Sequence, residues 1–308
     1  MTRAVVFAYH TVGVRCLQFL WAQGVDVALV ITHEDDPSEN IWFGSVLKWC
    51  LEKDIACIAP ADANSTEVVE KIAALKPDFL FSFYYRKLLK QPLLSVPRLG
   101  AFNMHGSLLP KYRGRAPVNW AVLHGETETG ATLHQMNATP DTGPVVDQQT
   151  VPVLPDDAAH DVFCKVVVAA EICLMRALPH LVAGTAVLKQ QDLQAGFCFG
   201  GRTAEDGRIQ WNHPAQKIHN LVRAVSKPYP GAFSEVGQGR LLVWRTQLLG
   251  KKENLAPRLS VGCLHWLEKK IVYVAPDEEV LELLEAQFNG VGLHVQAPVA
   301  ALNHLKVI

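Results

Sequence analysis

The sequence predicts an α/β fold built on a parallel sheet, followed by a smaller domain of β-strands. Strand-like apolar runs alternate with helix-like segments over the first part of the chain, a spacing that favours parallel strands joined by right-handed crossovers. The pattern changes near residues 197–202, after which short β-rich runs are separated by Gly, Pro and charged turns. The 308 residues suffice for two hydrophobic cores. We therefore predict a first domain over residues 1–200 and a second over residues 201–308.

The predicted elements of the first domain follow from local signals. Residues 4–9 are continuously apolar and suit a buried central strand. The following helix ends before Gly24, and another begins at Asn64, with Glu67 three residues later as in a capping box. A long apolar helix starts after Asp156 and stops at Gly184, so we expect it to be buried on more than one side. The predicted strands are 4–9, 25–32, 56–59, 79–83, 100–102, 130–136 and 145–153, and the helices are 12–23, 43–53, 64–75, 118–124 and 156–182.

The second domain has one strong helical signal among its β-rich runs. Ile218, Leu221, Val222 and Val225 give the segment 214–225 one apolar face. The runs 241–244, 261–264 and 271–274 are predicted strands, and their short lengths favour a small β-barrel of the OB-like type.

In the first domain, ligands of a parallel sheet bind beyond the carboxyl ends of its strands, so the tips after Phe83 and Phe102 are the expected floor of a site. A dinucleotide site is disfavoured because no G-x-G-x-x-G follows the first strand.

Composition and charge exclude several classes of protein. The chain is 49% hydrophobic and 19% charged, as in ordinary soluble globular proteins, and its net charge of −1 suggests neither a nucleic-acid nor a membrane-surface partner. No basic segment precedes the first apolar run, and the apolar runs are too short to span a bilayer, so we expect no membrane insertion. Seven scattered cysteines without C-x-x-C spacing indicate a reducing compartment, the cytoplasm.

No metal site is predicted. The run His33-Glu34-Asp35-Asp36 has ligand-type side chains, but consecutive residues do not easily converge on one ion. Pro37 and Ser38 follow it, so we interpret the run as a solvated polar loop. The cysteines and histidines elsewhere lack ligand-like spacing.

The stretch from Asn103 to Pro117 carries the clearest chemical signal. Alternate residues of a strand share a face, so Asn103 and His105 point the same way and Met104 points the other way. An amide and an imidazole side by side can polarise a carbonyl and transfer a proton. The alternative interpretation is a strand whose polar tip is merely solvated. The loop that follows, with two prolines and two arginines, favours the chemical interpretation.

These residues also carry a resemblance to a known family. The run His105-Gly106-Ser107-Leu108-Leu109-Pro110, continued by Tyr112-Arg113-Gly114 and Pro117, resembles the signature of the 10-formyltetrahydrofolate-dependent formyltransferases. Downstream, Asp141-Thr142-Gly143 stands where that family has its catalytic aspartate. The resemblance runs from Val5 to Phe233 and weakens after about Gly250. It implies a Rossmann-like sheet of formyltransferase topology and 10-formyltetrahydrofolate as co-substrate, with no metal.

The resemblance also assigns roles to individual residues. Asn103, His105 and Asp141 match the family's catalytic trio, in which the amide would stabilise the oxyanion and the imidazole would exchange protons beside the carboxylate. The alternative for Asp141 is an ordinary Asp-x-Gly turn, because its contact with His105 depends on the fold. The positions that match the family's folate contacts are Lys87, Leu88, Leu89, Arg115, Asn137, Ala138, Thr139 and Pro140.

Two subfamilies with a C-terminal barrel differ in the amine they formylate. Methionyl-tRNA formyltransferases typically have Ala after the motif His and a basic residue soon after the final motif Pro, where this chain has Gly106 and Val118-Asn119-Trp120. The segments 83–86 and 132–136 are similar to those of the enzyme that N-formylates UDP-4-amino-4-deoxy-L-arabinose in lipid A modification and polymyxin resistance. Near the crevice, Arg86 suits a diphosphate, because guanidinium binds phosphate bidentately, and Tyr84 and Tyr85 offer flat apolar faces to a ring. The net charge is −3 before residue 204 and +2 from there on, which favours a nucleotide-sugar acceptor over tRNA.

Several alternatives stay open. The acceptor could be Met-tRNA or another nucleotide-linked amino sugar. The chain could also be a non-catalytic domain of the same fold that binds folate or a nucleotide sugar. In the UDP-sugar enzyme the formyltransferase is usually fused to a decarboxylase. A chain of 308 residues would then be a stand-alone version or a truncated one, with a homo-oligomer or a separate decarboxylase partner both open.

Overall fold

The structure is a computed structural model that describes residues 1–237, 239–255, 258–267 and 270–293. It divides into two compact units: Met1–Pro117, Glu128–Pro152 and Phe163–Gly200 form the first, and Val118–Thr127, Val153–Val162 and the chain from Gly201 form the second. Two stretches assigned by sequence to the first domain thus group with the second unit. The predicted boundary after residue 200 stays a prediction, and residues 294–308 of the predicted second domain lie outside the described residues.

Hydrogen bonds explain why those two stretches group with the second unit. The side chain of Asn119 donates to the carbonyl of Ala224 at 2.9 Å. His219 and Arg223 hold the stretch 153–162 by hydrogen bonds to the carbonyls of Pro155 and Asp157 at 3.1 and 3.3 Å. Both connections join segments more than 60 residues apart, which local sequence patterns do not report.

A seven-stranded sheet organises the first unit, in the order β3-β2-β1-β4-β5-β7-β8. The first five of these strands are parallel, as predicted, while β7 and β8 run antiparallel to their neighbours. The chain returns beside β5 in the opposite direction instead of crossing over, so the sheet is mixed. The strands of this unit are β1 (Arg3–Ala8), β2 (Asp26–Ile31), β3 (Cys57–Ile58), β4 (Phe79–Phe83), β5 (Gly100–His105), β6 (Arg113–Gly114), β7 (Glu128–Gln135), β8 (Val145–Pro152) and β9 (Cys198–Phe199). The short strands β6 and β9 pair with each other.

Both faces of this sheet are covered, as expected for parallel strands. Val5 and Phe7 of β1 pack into one core cluster with Leu80 of β4, and Val6 on the other face is equally inaccessible to solvent. The helices of the chain are α1 (His10–Ala22), α2 (Val46–Glu52), α3 (Thr66–Ala74), α4 (Gln91–Leu94), α5 (Pro117–Leu123), α6 (Ala159–Ala183), α7 (Ala215–Val225) and α8 (Lys252–Leu255).

Two helices, α3 and α6, differ from what the sequence predicts. The cap of α3 is Ser65, whose hydroxyl accepts from the backbone N–H of Val68, and not the predicted Asn64. The expectation that every apolar run is too short to span a bilayer is wrong for helix α6, which is long and apolar enough by length and composition; half of its most apolar window is, however, buried inside the protein. Val166, Ala170, Cys173 and Leu174 recur on that buried side at helical spacing, the pattern of a core helix.

The second unit contains an antiparallel sheet in the order β10-β11-β14-β13-β12, with β15 beside β14. The strands are β10 (Ala232–Val236), β11 (Gly239–Lys251), β12 (Leu264–Leu267), β13 (Lys270–Val274), β14 (Glu279–Phe288) and β15 (Val291–Gly292). The sequence predictions omit β10, β14 and β15, and the predicted strand 261–264 overlaps β12 only at Leu264. Strand β14 is rich in Leu and Glu, which favour helices, and its pairing with β11, β13 and β15 outweighs that propensity. The predicted fold class, an α/β sheet followed by a β-strand domain, is confirmed.

Candidate active site

The structure brings Asn103, His105 and Asp141 together at one end of the sheet. Asn103 and His105 lie on one face of β5, and Asp141 lies in the turn between β7 and β8. The carboxylate Oδ1 of Asp141 is 3.6 Å from Nδ1 of His105. His105 is only 7% exposed, so this contact is largely shielded from water. The long-range contact that the sequence left to the fold is therefore present.

The loop after β5 fixes the orientation of His105. Its Nε2 lies 2.8 Å from the carbonyl oxygen of Tyr112, which can only accept, so Nε2 carries a hydrogen. The loop turns back through Tyr112, whose φ of 56° lies in the left-handed region. The hydroxyl of Ser107 closes the same loop by donating to the carbonyl of Lys111 at 2.6 Å. With Nε2 held by Tyr112, the Nδ1 atom faces Asp141.

Asp141 is held by its backbone as well as by its side chain. Its φ of 56° is left-handed, a conformation that aspartate tolerates better than most residues. The amide of Gln191 donates to the carbonyls of Asp141 and Gly143, at 3.1 and 2.6 Å. A Cβ on Gly143 would lie 1.8 Å from the carbonyl oxygen of Gln135, so the turn needs glycine there. Sequence reasoning missed Gln191, because nothing local connects it to a turn 50 residues earlier.

The surroundings of Asp141 keep its carboxylate ionised. Burial alone would raise the pKa of Asp141. The nearby imidazoles of His105 and His134 and the hydrogen bond from the backbone N–H of Gly114 outweigh burial, so the pKa is lowered from its ordinary value. The Gly114 N–H donates to Oδ2 at 2.8 Å. Asp141 is therefore an anion at neutral pH, next to the imidazole of His105.

His134 is a fourth polar residue of the site, and sequence reasoning gave it no role. It lies on β7 in register with Asn103 of β5 and is 1% exposed. Its Nε2 is 3.1 Å from Nδ2 of Asn103 and 3.6 Å from Oδ1 of Asp141. The signal that could have found it is the alternation along β7, which places Thr132 and His134 on one face. The expectation of a purely parallel sheet hid the pairing with β5.

The segment expected to contact folate after β4 has two exposed residues, Lys87 and Leu88, and one buried residue, Leu89. Leu89 is 5% exposed and belongs to the core, while the side chain of Leu88 is 54% exposed. Asn64, the predicted helix cap, instead braces this segment: its amide donates to the carbonyl of Leu88 at 2.9 Å and accepts from the N–H of Lys90 at 2.7 Å. The ammonium of Lys87 donates to the carbonyl of Ala61 at 2.5 Å.

The second expected folate segment is the exposed turn Asn137-Ala138-Thr139-Pro140, which leads directly into Asp141. The side-chain oxygen of Asn137 accepts from the N–H of Thr139 at 3.1 Å and from the hydroxyl of Thr142 at 3.0 Å. These bonds stiffen the turn locally. Its position in the chain places an exposed, preformed backbone immediately before the ionised Asp141.

The two arginines near the end of β4 differ in their availability to a ligand. Arg86 forms an ion pair with Glu39 at 2.7 Å, and its guanidinium lies 4.7 Å from the ring centre of Tyr9. The positive charge of Arg86 is therefore already paired with a carboxylate. Arg115, an expected folate contact, is exposed and makes one long hydrogen bond, at 3.5 Å, to the carbonyl of Arg86. Within the part of the chain that the structure describes, Arg115 forms no ion pair.

The two tyrosines that follow β4 contact different parts of the first unit. Tyr85 stacks on His33 with ring centres 4.1 Å apart and meets Phe7 edge-on, so its role is structural. Tyr84 lies against the motif loop: a Cβ on Gly106 would be 2.0 Å from the Tyr84 hydroxyl oxygen. The glycine that follows His105 is thus required by the position of Tyr84.

The run from His33 to Asp36 is not simply solvated, as the sequence interpretation had it. Asp35 accepts a hydrogen bond from the hydroxyl of Tyr9 at 2.8 Å, and His33 accepts one from the backbone N–H of Arg86 at 3.1 Å. Burial, with the charges of Lys87 and Arg86, lowers the pKa of His33 to about 4. In the described ranges, no group of three or more His, Cys, Asp or Glu side chains is placed to hold a metal ion.

Comparison with solved structures places this fold among known proteins. An N-formyltransferase from Helicobacter canadensis, in complex with folinic acid and dTDP-3-aminofucose, is 20% identical, with 92% of this chain and 99% of that chain covered and a TM-score of 0.72. WlaRD, a sugar 3N-formyl transferase studied with dTDP and 5-N-formyl-THF, is 20% identical over 94% and 98%, with a TM-score of 0.67. Glycinamide ribonucleotide transformylase 1 from Symbiobacterium toebii is 23% identical over 62% and 95%, with a TM-score of 0.54. At these identities the likeness concerns the fold.

Sequence models of protein families give the more specific result. The model described as formyl transferase matches residues 14–178, which include β5, the motif loop and the Asp141 turn. The model of the formyl transferase C-terminal domain matches residues 202–293. Together they span most of the chain, on both sides of the composition change near residue 200. The chain belongs to the formyl transferase family and is a formyltransferase.

Proposed function

We propose that this protein transfers the formyl group of 10-formyltetrahydrofolate to the amine of a nucleotide-linked amino sugar, and that the acceptor is UDP-4-amino-4-deoxy-L-arabinose. The observation that carries the proposal is the convergence of Asn103, His105 and Asp141, with His105 and Asp141 3.6 Å apart. The solved complexes with folinic acid or 5-N-formyl-THF support the folate co-substrate, and those with dTDP-3-aminofucose or dTDP support an acceptor of this class.

In the proposed reaction the acceptor amine attacks the formyl carbon. The new C–N bond forms as the carbonyl π electrons move to oxygen, and the tetrahedral intermediate collapses by breaking the bond to N10 of the folate. Asn103 can donate Nδ2–H to the developing oxyanion. His105 can donate Nε2–H once the substrate oxygen competes with the Tyr112 carbonyl, because an oxyanion is a stronger acceptor than a neutral carbonyl.

Proton transfer is assigned to the pair of His105 and Asp141. The attacking nitrogen becomes an ammonium and must lose a proton, while N10 must gain one as it leaves. Asp141 is ionised and can accept the ammonium proton, directly or through His105, and the same pair returns a proton to N10. The net proton count is zero, so the reaction needs no external acid or base.

The acceptor assignment rests on the residues around the motif loop. Gly106 lies against Tyr84. The motif that contains this glycine is similar to the motif of the UDP-sugar enzyme. Arg115, which is exposed and forms no ion pair among the described residues, is available to a phosphate, whereas Arg86 is neutralised by Glu39 and loses the phosphate role expected from the sequence. Trp120 packs beside His124, with the Arg202 guanidinium 4.6 Å from its ring centre, which gives it a structural role.

Two other acceptors compete with this assignment. A dTDP-linked 3-amino sugar is favoured by the two solved sugar enzymes. Methionyl-tRNA is disfavoured by the net charge of only +2 from residue 204 on, because binding to phosphates of tRNA relies on clustered basic residues.

With the UDP-sugar acceptor, the protein would act in the cytoplasm in lipid A modification and polymyxin resistance, as a homo-oligomer or beside a separate decarboxylase.

A competition experiment tests the acceptor. UDP-4-amino-4-deoxy-L-arabinose, dTDP-3-aminofucose and Met-tRNA are offered at equal concentrations with 10-formyltetrahydrofolate, and formylated products are measured at low and high salt. We expect the UDP-sugar product to dominate with little salt dependence. Preferential formylation of Met-tRNA, falling steeply with salt, would contradict the sugar assignment. Dominance of the dTDP sugar would replace the UDP acceptor and leave the sugar class intact.

A further inference from the structure

His134 faces a hydrogen-bond partner through each of its two ring nitrogens. Its Nδ1 lies 2.9 Å from the carbonyl oxygen of Gln135, which can only accept, so Nδ1 carries a hydrogen. Its Nε2 lies 3.1 Å from the amide nitrogen of Asn103. At 1% exposure the ring has almost no access to water that could replace either partner. Whether Nε2 carries a hydrogen therefore depends on the protein groups that face it.

Two arrangements of Nε2 compete. A bare Nε2 accepts a hydrogen from the Asn103 amide at 3.1 Å, a hydrogen-bond distance. A protonated Nε2 would donate to Asp141 Oδ1, but that separation is 3.6 Å, and the new N–H would face the N–H of Asn103. Asp141 already accepts a hydrogen bond from the backbone N–H of Gly114 at 2.8 Å. The first arrangement gives both ring nitrogens of His134 a partner at hydrogen-bond distance, so a neutral ring with its hydrogen on Nδ1 fits this geometry.

We propose that His134 is a positioning residue that holds the Asn103 amide by accepting from its Nδ2 through Nε2. The inference rests on the proposed function, in which Asn103 stabilises the oxyanion. An asparagine amide can rotate by half a turn and exchange its oxygen for its nitrogen with little change in shape. If the oxygen faced the reaction, it would repel the developing negative charge. A bare nitrogen at His134 accepts only the NH2 end, which leaves the second Nδ2 hydrogen for the substrate.

The backbone supports the same pairing. Asn103 and His134 are directly opposite each other in the antiparallel ladder between β5 and β7, so their side chains share a face at short range. A slip of one residue would turn His134 to the other face. The register that aligns β7 with β5 thus also aligns the imidazole with the amide.

The kinetic test uses His134→Leu, His134→Gln, Asn103→Ala and the double variant His134→Leu/Asn103→Ala. Leucine removes the acceptor, whereas the glutamine oxygen can replace Nε2. We expect His134→Leu to lower kcat about 100-fold with little change in KM, since misplacing a group by about 1 Å has an effect of this order. His134→Gln should recover at least tenfold of that loss. His180→Gln, on the exposed surface of the same unit, is the matched control and should leave kcat unchanged.

The double variant distinguishes positioning from an independent role. If His134 acts through Asn103, adding His134→Leu to Asn103→Ala should lower kcat by no more than about threefold. Losses that multiply would overturn the proposal, as would a His134→Gln variant no better than His134→Leu. The kinetics use whichever acceptor the wild-type protein formylates, so a wrong acceptor assignment leaves this comparison valid.

A spectroscopic test needs no acceptor and no turnover. Long-range proton–nitrogen correlation spectra of protein labelled with ¹⁵N in histidine, recorded at pH 8, report which ring nitrogen carries the hydrogen. The His134 signals are assigned by their loss in His134→Gln. We expect a neutral ring protonated at Nδ1. A ring protonated at Nε2, or at both nitrogens, would overturn the proposal even if His134→Leu fails to fold, and would leave the proposed formyl transfer untouched.

Discussion

Replacing Gly106 by alanine is expected to disturb both stability and catalysis, because the new methyl group has no room. A Cβ at this position would lie 2.0 Å from the Tyr84 hydroxyl oxygen, 3.0 Å from Cζ of the same ring and 3.5 Å from Cγ of Pro117. Ordinary contacts start near 3.4 Å, so the hydroxyl would have to move by more than 1 Å. Overpacking of this kind destabilises a protein by about 1–3 kcal/mol. Because His105 is adjacent in the chain, kcat should fall as well.

A double-mutant cycle with Tyr84→Phe tests this explanation. Removing the hydroxyl eliminates the 2.0 Å contact and leaves the ring carbon at 3.0 Å, a tight approach that small shifts can relieve. We expect Tyr84→Phe/Gly106→Ala to recover at least half of the loss in the free energy of unfolding, measured by urea denaturation, together with part of kcat. Gly292→Ala is the matched control, because among the described residues no atom other than those of its chain neighbours lies within 4 Å of its Cβ position, and its φ is not in the left-handed region. Additive effects of the two substitutions, or a loss below about 0.5 kcal/mol for Gly106→Ala, would refute the steric account.

Three further predictions concern the proposed catalytic residues and the proposed absence of a metal. Asn103→Ala, His105→Ala and Asp141→Ala should each lose most of kcat while their circular dichroism and unfolding midpoints stay close to wild type; a His105→Ala variant with near-normal turnover would contradict the mechanism. The pKa of Asp141 is lower in the folded protein than in the unfolded chain, so its contribution to stability is complete above about pH 5 and is lost as the pH falls below about 4. The difference in unfolding free energy between wild type and Asp141→Asn should therefore shrink between pH 6 and pH 3, and a constant difference would count against an ionised, stabilised Asp141. Activity should survive exhaustive chelation, and a loss restored by one divalent ion would overturn the metal-free mechanism.

The sequence by itself determined what depends on neighbours along the chain. The apolar runs that become β1, β2 and β4 are recognisable because each strand is buried on both faces and contains few polar residues. The shared face of Asn103 and His105 follows from the two-residue period of a strand, wherever that strand lies. The motif from His105 to Pro117 indicated the family without any knowledge of the fold. These features are set by the order of residues over a few positions.

Only the tertiary structure decided which distant residues meet. Asp141 and His134 reach the end of β5 because β7 pairs antiparallel with it, and no local pattern distinguishes that return from a parallel crossover. The ion pair between Glu39 and Arg86 removes a phosphate ligand that the sequence offered, and Asn64 braces the segment after β4 instead of capping a helix. Helix-forming residues become β14 because neighbouring strands supply its hydrogen bonds. The physical reason is common to these cases: pairing and charge neutralisation depend on distances in space, which local periodicity does not encode.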